Sequence, residues 1–214
     1  MKKFFDMESP LMSGLSVAAD LIVLNLFTLL CSLPVVTLGA ALTAMNAVCI
    51  RLIRGEGSSV ARDFFRAFRQ NLKKGMIFGL LLLAAALLLW FDYQAALVYA
   101  PPLRFGIAAI AILVLALVQY AFALMARYEN PLFTTVKNAA LLAVAYFPRT
   151  FLMLMFTIGI WLAGVVFWRI LAPVLLLLGF SLPCYVCCQL LGIVFQKLEE
   201  NQRETDALSE RNSL

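Results

Sequence analysis

Residues 15–53 read LSVAADLIVLNLFTLLCSLPVVTLGAALTAMNAVCIRLI, and Asp20 is the only charge until the last three residues. One helix of this length would measure about 58 Å, roughly twice the ~30 Å hydrocarbon core of a bilayer. Ser32-Leu33-Pro34 and Gly39 interrupt the stretch near its middle, and such residues bend or end helices. The stretch therefore predicts two membrane helices joined by a tight bend. These two predicted spans are about residues 15–33 and 37–53.

The composition also indicates an integral membrane protein. Hydrophobic residues make up 64% of the 214 residues and charged residues 14%, whereas a soluble domain is about half apolar and a quarter charged. The length fits one membrane domain without a further globular one. Lys2 and Lys3 are followed by Asp6 and Glu8, and no small-residue cleavage site follows. The first helix is therefore predicted to be retained and not cleaved as a signal peptide.

The segment after the first two spans predicts the orientation. Between residues 51 and 74 it carries seven arginine or lysine residues against Glu56 and Asp63. Such an excess of basic residues in a short loop is typical of the cytoplasmic side. A further break is predicted near Trp168-Arg169, inside an apolar run too long for one span. The remaining predicted spans are about residues 76–91, 105–126, 150–167 and 171–194.

The predicted fold is all-α: a polytopic transmembrane helical bundle of about six spans in three hairpins, with two cytoplasmic interfacial helices. Residues 1–195 form one membrane domain, and the polar residues 196–214 are predicted to be a flexible cytoplasmic tail. Six spans place both termini in the cytoplasm, with the protein in the cytoplasmic membrane. An alternative with five spans, in which residues 15–53 cross only once, stays open at this point.

The first predicted cytoplasmic helix, about residues 59–74, has two distinct faces. At about 100° per residue, its phenylalanine side chains fall on one face and its basic side chains on an adjacent one. This pattern is typical of a helix lying in the inner membrane interface. Its basic side is either a docking surface for a cytoplasmic partner or a contact with anionic lipid. The aromatic positions are Phe64, Phe65 and Phe68, and the basic positions are Arg62, Arg66, Arg69 and Lys73.

The second predicted cytoplasmic helix, about residues 131–147, lies between the fourth and fifth spans. Its position resembles that of the coupling loop of ABC importer permeases, which inserts a short helix into a cleft of the ATPase. That loop usually carries Glu-Ala-Ala and a following glycine, and Lys137-Asn138-Ala139-Ala140 has neither the glutamate nor the glycine. Lys137 and Arg149 join the basic helix as candidate positions for partner or lipid docking.

Polar residues inside predicted spans are functional candidates by default. The presence of Asp20 in an apolar segment has two explanations. It lies either near a helix start, where the helix dipole favours an acidic residue, or in an ion pair with a loop arginine such as Arg51. Asn25 and Asn46 are predicted to tie the first hairpin together by an interhelical hydrogen bond, and Gln119 is a fourth candidate. No carboxylate is placed at mid-membrane, which disfavours a proton-coupled pump.

Several classes of site are disfavoured by what the sequence lacks. Histidine is absent, which removes the commonest general base and metal ligand. Cys184-x-x-Cys187-Cys188 lies in an apolar run without a second cysteine pair, so these thiols are interpreted as small buried hydrophobes. We therefore predict no enzyme, no metal and no cofactor. The net charge of +5 is explained by the inner loops and needs no nucleic acid.

Short motifs over nearly the whole chain resemble those of one known family, and Leu33-Pro34-Val35-Val36-Thr37 with Gly39 is the most specific. The others are Met7 to Pro10, Asp20, Asn25-Leu26, Cys31-Ser32, Phe64 to Phe68, Asn71, Lys137 to Ala139 and Pro148 to Thr150. Together they resemble the YesL-like family of bacterial membrane proteins, a domain of unknown function. The resemblance implies a multi-span protein of the cytoplasmic membrane, often encoded near carbohydrate uptake systems. It implies no catalytic or binding residues.

Two functions are predicted from these observations. The first is a non-enzymatic accessory or regulatory component associated with ABC-type carbohydrate transport, whose partners are the lipid bilayer and a sugar transporter or its ATPase. The alternative is a permease-like subunit that forms part of a translocation path. Ser32-Leu33-Pro34 recurs as Ser181-Leu182-Pro183 in the last hairpin, and interrupted segments in corresponding halves are where transporters often bind cargo. A homo-oligomer also stays open.

Overall fold

Helices form all the regular structure in residues 10–56 and 59–195, which are the residues that the computed structural model describes. A short 3-10 turn, Val35–Thr37, separates the first two helices. The predicted tail and both termini lie outside the described residues. The helices are α1 Pro10–Ser32, α2 Leu38–Arg54, α3 Val60–Tyr99, α4 Leu103–Arg127, α5 Leu132–Ala145, α6 Phe147–Val166, α7 Trp168–Leu178 and α8 Ser181–Phe195.

The lengths and compositions of these helices fit a multi-pass membrane protein. In the described part of the chain, α1, α3, α4 and α6 each contain a segment long and apolar enough to cross a bilayer, and the 3-10 turn together with α2 (Val35–Arg54) forms a fifth. The pair α7 and α8 would add a sixth span if it is counted as one bent span. The predicted all-helical membrane architecture is therefore confirmed at this level. Residues 15–53 form two helices, as the bend at Pro34 predicted.

The bend between α1 and α2 is stabilised by hydroxyl side chains. The Ser32 hydroxyl donates to the Thr28 carbonyl at 2.6 Å, inside the last turn of α1. The Thr37 hydroxyl contacts two carbonyl oxygens, those of Cys31 at 2.6 Å and Pro34 at 2.8 Å. Carbonyls at a helix end lack an intrahelical partner, so these contacts satisfy polar groups beside an exposed apolar turn.

Helices α2 and α3 approach each other through glycine. A Cβ atom on Gly39 would lie 2.7 Å from the Gly79 Cα atom, and one on Gly75 would lie 2.6 Å from the Ala40 Cα atom. Both distances are too short for real side chains, so the contact requires glycine at these positions. The Gly75-x-x-x-Gly79 spacing thus forms a close-packing face, as in membrane helix pairs with small residues at the interface. Helix α2 consequently runs along the N-terminal half of α3.

The predicted cytoplasmic helix (about residues 59–74) and the predicted third span (about 76–91) are one continuous helix, α3. The boundary expected near Gly75 is wrong. Lysine, arginine and glutamine are good helix formers, so the charged segment continues the helix, and Gly75 is needed for the contact with Ala40. At ~1.5 Å per residue α3 is about 60 Å long.

A salt bridge joins α2 to the first turn of α3. The Arg51 guanidinium contacts the Asp63 carboxylate at 2.8 Å, and the Asp63 side chain is only 8% exposed. The sequence-based pairing of Asp20 with Arg51 is therefore wrong, because Asp63 is the partner. Asp20 lines a small cavity of about 70 Å³ beside the two paired residues.

Replacing Arg51 with glutamine is expected to destabilise the protein by about 1–3 kcal/mol, because a buried carboxylate loses its charged partner. This corresponds to a fall of roughly 3–10 °C in the melting temperature of the detergent-solubilised protein. Arg54→Gln is the matched control, since Arg54 is exposed in the same last turn of α2. Equal melting temperatures for the two variants would contradict a stabilising role for the salt bridge.

The last predicted span, about residues 171–194, is not one helix. It consists of α7 and α8, which meet at an angle of 60°. An unbroken helix would need the backbone N–H of residue 183 to donate to the Gly179 carbonyl, and Pro183 has no N–H. The break before this span, predicted near Trp168-Arg169, is confirmed at Phe167. A helix is present in the predicted range of about 131–147, as α5.

Candidate functional site

The break between α7 and α8 is held by a side chain from α1. Asn25 is fully buried. Its Oδ1 atom accepts hydrogen bonds from the backbone N–H groups of Phe180 and Ser181, both at 3.1 Å, and its Nδ2 atom donates to the Leu176 carbonyl at 2.8 Å. Backbone groups freed by a broken helix must find partners in an apolar environment. Asn25 supplies hydrogen-bond partners for the freed backbone groups at the end of α7 and the start of α8.

Asn46 also connects the first hairpin to the last. Its Nδ2 atom donates to the Leu42 carbonyl within α2 at 2.9 Å, and its Oδ1 atom accepts from the Cys188 thiol of α8 at 3.4 Å. The prediction that Asn25 and Asn46 tie the first hairpin together is therefore wrong. Both side chains bond to α7 or α8, or to their own helix, because α8 packs beside α1 and α2.

Gln119 forms a third polar contact near the same break. Its Nε2 atom donates to the Thr157 hydroxyl of α6 at 3.1 Å, and its Oε1 atom accepts from the Cys187 thiol at 3.7 Å. These residues and Asn46 line a pocket of about 150 Å³ that reaches Phe180 at the break. We call this the polar pocket. Its polar side chains come from α2, α4, α6 and α8.

The sequence did not reveal Thr157 or Ser181 as partners in this region. A threonine in an apolar helix has no local signal, because its hydroxyl can bond within its own helix. Ser181 is buried, and its hydroxyl has no hydrogen-bond partner among the described residues. The repeated Ser181-Leu182-Pro183 motif was the available signal, since it marks the first turn of α8.

The basic positions of the N-terminal half of α3 form one exposed surface, which we call the basic face. No ion pair within residues 10–56 and 59–195 involves any of them. Around the helix they lie within about 60° of one another, at ~100° per residue, and they point away from the buried side of α3. The members of the basic face are Arg62, Arg66, Arg69 and Lys73, all exposed.

The aromatic positions of this helix pack largely onto α1 and one another. Phe64 is fully buried, and its ring stacks with Phe27 of α1 at a centroid distance of 5.9 Å. Phe68 stacks on Phe64 at 6.1 Å. Phe65 also contacts Phe27 at 5.3 Å and remains 46% exposed. The aromatic side therefore anchors α3 to α1, and Phe65 is its most accessible ring.

The two other docking candidates lie on different helices. Lys137 is exposed on α5, and Arg149 is half-buried in the first turn of α6. The Arg149 guanidinium lies 5.6 Å from the centre of the Tyr146 ring. Its Nη1 atom is buried and has no hydrogen-bond partner in the described part of the chain. The neighbouring Thr150 hydroxyl lies 2.9 Å from the Tyr120 hydroxyl.

The cysteines are free thiols, and those of Cys49, Cys184 and Cys188 lie within hydrogen-bond reach of one another. Cys49, Cys187 and Cys188 are buried, while Cys31 and Cys184 are half-buried. Within residues 10–56 and 59–195, no group of three or more histidine, cysteine, aspartate or glutamate residues is arranged to hold a metal ion.

One protein family is similar to part of this chain. The sequence pattern of the family described as "Protein of unknown function, DUF624" matches residues 21–93. The match covers about a third of the chain, from α1 through α2 to Tyr93 in α3. No curated protein and no solved structure gave a significant match. The similarity supports a domain of unknown function, and it covers Asn25, the glycine contact and the basic face.

Proposed function

We propose that this protein is a non-enzymatic accessory or regulatory component of a carbohydrate uptake system in the cytoplasmic membrane. The basic face of α3 is the docking surface in this proposal, and its partner is an ABC-type sugar transporter or its ATPase. The resemblance to the YesL-like family supports the choice of partner, because members are often encoded near such systems. The geometry of α3 supports the docking role.

The observation that carries the proposal is the rigid presentation of the basic face. From Arg62 to Lys73 the face extends about 16 Å along α3 at ~1.5 Å per residue. Phe64 and Ala67, on the other side of the same turns, are buried. A surface that is already ordered loses little conformational entropy on binding. A row of cations on such a surface favours association with an acidic protein surface.

Charge reversal on the basic face tests the docking role. In the double variant Arg66→Glu and Arg69→Glu, the amount of transporter that co-purifies is expected to fall at least about tenfold. The reason is that the charges of the basic face together attract the partner. The measurement is capture of the tagged full chain from native membranes, followed by quantification of the transporter subunits. Arg54→Glu is the control, since it reverses an exposed arginine at the end of α2.

Two results would contradict this proposal. Unchanged capture by the double variant, together with weaker binding to vesicles containing phosphatidylglycerol, would identify the basic face as a lipid contact. Equal losses for the double variant and Arg54→Glu would indicate a general effect of charge and not a docking surface.

A permease-like subunit is the second candidate, and the broken α7–α8 pair favours it. Discontinuous helices form binding sites in many transporters, and the polar pocket lies beside this break. Its volume of about 150 Å³ is, however, below the ~300–1,000 Å³ typical of small-molecule sites. Its amide groups already have partners. Sugar uptake that continues in cells lacking this protein would rule out the permease.

A further inference from the structure

A larger cavity lies between α2, α3 and α4, on the side facing the α3–α4 turn. Its volume is about 670 Å³, and its walls are almost entirely apolar. It begins near Val35 and Leu38, beside the α1–α2 turn, and ends near Trp90 and Tyr93. We call it the apolar cavity. The cavity is open along one side, since Trp90 and Ile112 in its wall are exposed. An open apolar cavity of this size in a membrane protein fits a hydrocarbon chain.

The apolar cavity is long and follows the helix axes. Its wall on α4 runs from Ile107 to Phe122, and its wall on α3 runs from Gly79 to Tyr93. At ~1.5 Å per residue these walls are about 22 Å and 21 Å long. Each exceeds the ~15 Å depth of one bilayer leaflet, half of the ~30 Å core. An extended acyl chain can therefore lie along the cavity for its full length.

A cation lies one helical turn beyond the α4 residues that line the apolar cavity, near the α3–α4 turn. Arg104 precedes the lining residues Ile107 and Ala108 by one helical turn, so it shares their face of α4. It is exposed, and its guanidinium lies 4.8 Å from the centre of the Phe105 ring. Trp90 and Tyr93 at the same end are residue types that favour the membrane–water interface. The acidic residue of this region is Asp92, also exposed.

The geometry points to a phospholipid site in which one acyl chain fills the apolar cavity and Arg104 binds the phosphate. Arginine suits a phosphate group because its guanidinium presents a planar set of donors. The head group lies in the leaflet nearest the α3–α4 turn. Four residues line both the apolar cavity and the polar pocket: Leu42, Leu115, Val118 and Phe122. The end of the bound chain would therefore contact the wall of the polar pocket.

Native mass spectrometry of the full-length protein tests this site, with phosphatidylglycerol as the added lipid. The wild-type protein is expected to retain one lipid per chain after mild delipidation. Arg104→Gln should bind about tenfold more weakly, since a charged hydrogen bond is lost. Ala111→Phe should abolish retention by filling the cavity, because Ala111 lines it.

Two matched controls separate this site from general lipid contact. Arg169→Gln removes another exposed arginine, and Ala109→Phe adds the same ring to an exposed position of α4 that does not line the cavity. Both are expected to retain the lipid. Three results would each overturn the proposal. They are lipid retention by Ala111→Phe, equal loss of lipid in the variants and the controls, and no lipid retained on the wild-type protein. If Ala111→Phe does not fold, Arg104→Gln against Arg169→Gln decides it.

Discussion

Replacing Asn25 with leucine is expected to lower the melting temperature of the detergent-solubilised protein by roughly 10–20 °C. Leucine has a similar size but no polar atoms, so the N–H groups of Phe180 and Ser181 and the Leu176 carbonyl lose their side-chain partner. Each unsatisfied buried group costs about 1–3 kcal/mol. The three groups together cost about 3–9 kcal/mol, a range that includes a shift of this size for a chain of this length.

The measurement uses the protein's own thiols. Cys49, Cys187 and Cys188 are buried, so a thiol-reactive fluorophore reports their exposure as the protein unfolds. Asn46→Leu is the matched control, because its Nδ2 atom bonds within its own helix and its other described bond is a weak thiol contact. It should shift the melting temperature by less than half as much. A smaller shift for Asn25→Leu than for Asn46→Leu would show that the α7–α8 break does not depend on Asn25.

The first hairpin could be predicted because its signals are local. Pro34 has no backbone N–H, and the apolar length on either side suits one helix each. The α7–α8 break has a similar local signal in Pro183. The length of residues 171–194, however, is close to the ~20 residues of a single span. This length therefore gives no indication that the segment is broken. The sequence does not reveal the continuity of α3, because basic residues followed by Gly75 are equally typical of the end of a helix.

The partners of the buried polar groups could not be predicted. Asn25 and Ser181 are 156 residues apart in the sequence, and the groups that Asn25 bonds are backbone atoms, which any residue carries. The sequence shows that an asparagine in an apolar helix needs a partner, but it does not show which helix supplies one. The basic face could be predicted, because helical periodicity alone places its members together. Its exposed position follows from the tertiary packing of Phe64 on Phe27.

Replacing Gly39 with leucine is expected to prevent α2 from packing on α3. Even the first side-chain atom, a Cβ, would lie 2.7 Å from the Gly79 Cα atom and would also meet the Gly75 carbonyl oxygen. These neighbours are backbone atoms, which cannot rotate away as a side chain can. The helices must separate, and the contact that packs the buried Ala40 against Gly75 is lost. We expect little folded Gly39→Leu protein in the membrane fraction.

The smaller substitution Gly39→Ala tests the same contact through the direction and size of the change in melting temperature. Overpacking costs about 1–3 kcal/mol, so its melting temperature should fall by roughly 3–10 °C. At Gly159, in the interior of α6, a Cβ atom would meet nothing within 4 Å. Gly159→Ala should therefore raise stability by about 0.5–1 kcal/mol, because alanine is the better helix former. Opposite shifts for the same substitution would identify backbone contact as the cause. A neutral or stabilising Gly39→Ala would show that α2 and α3 do not approach this closely.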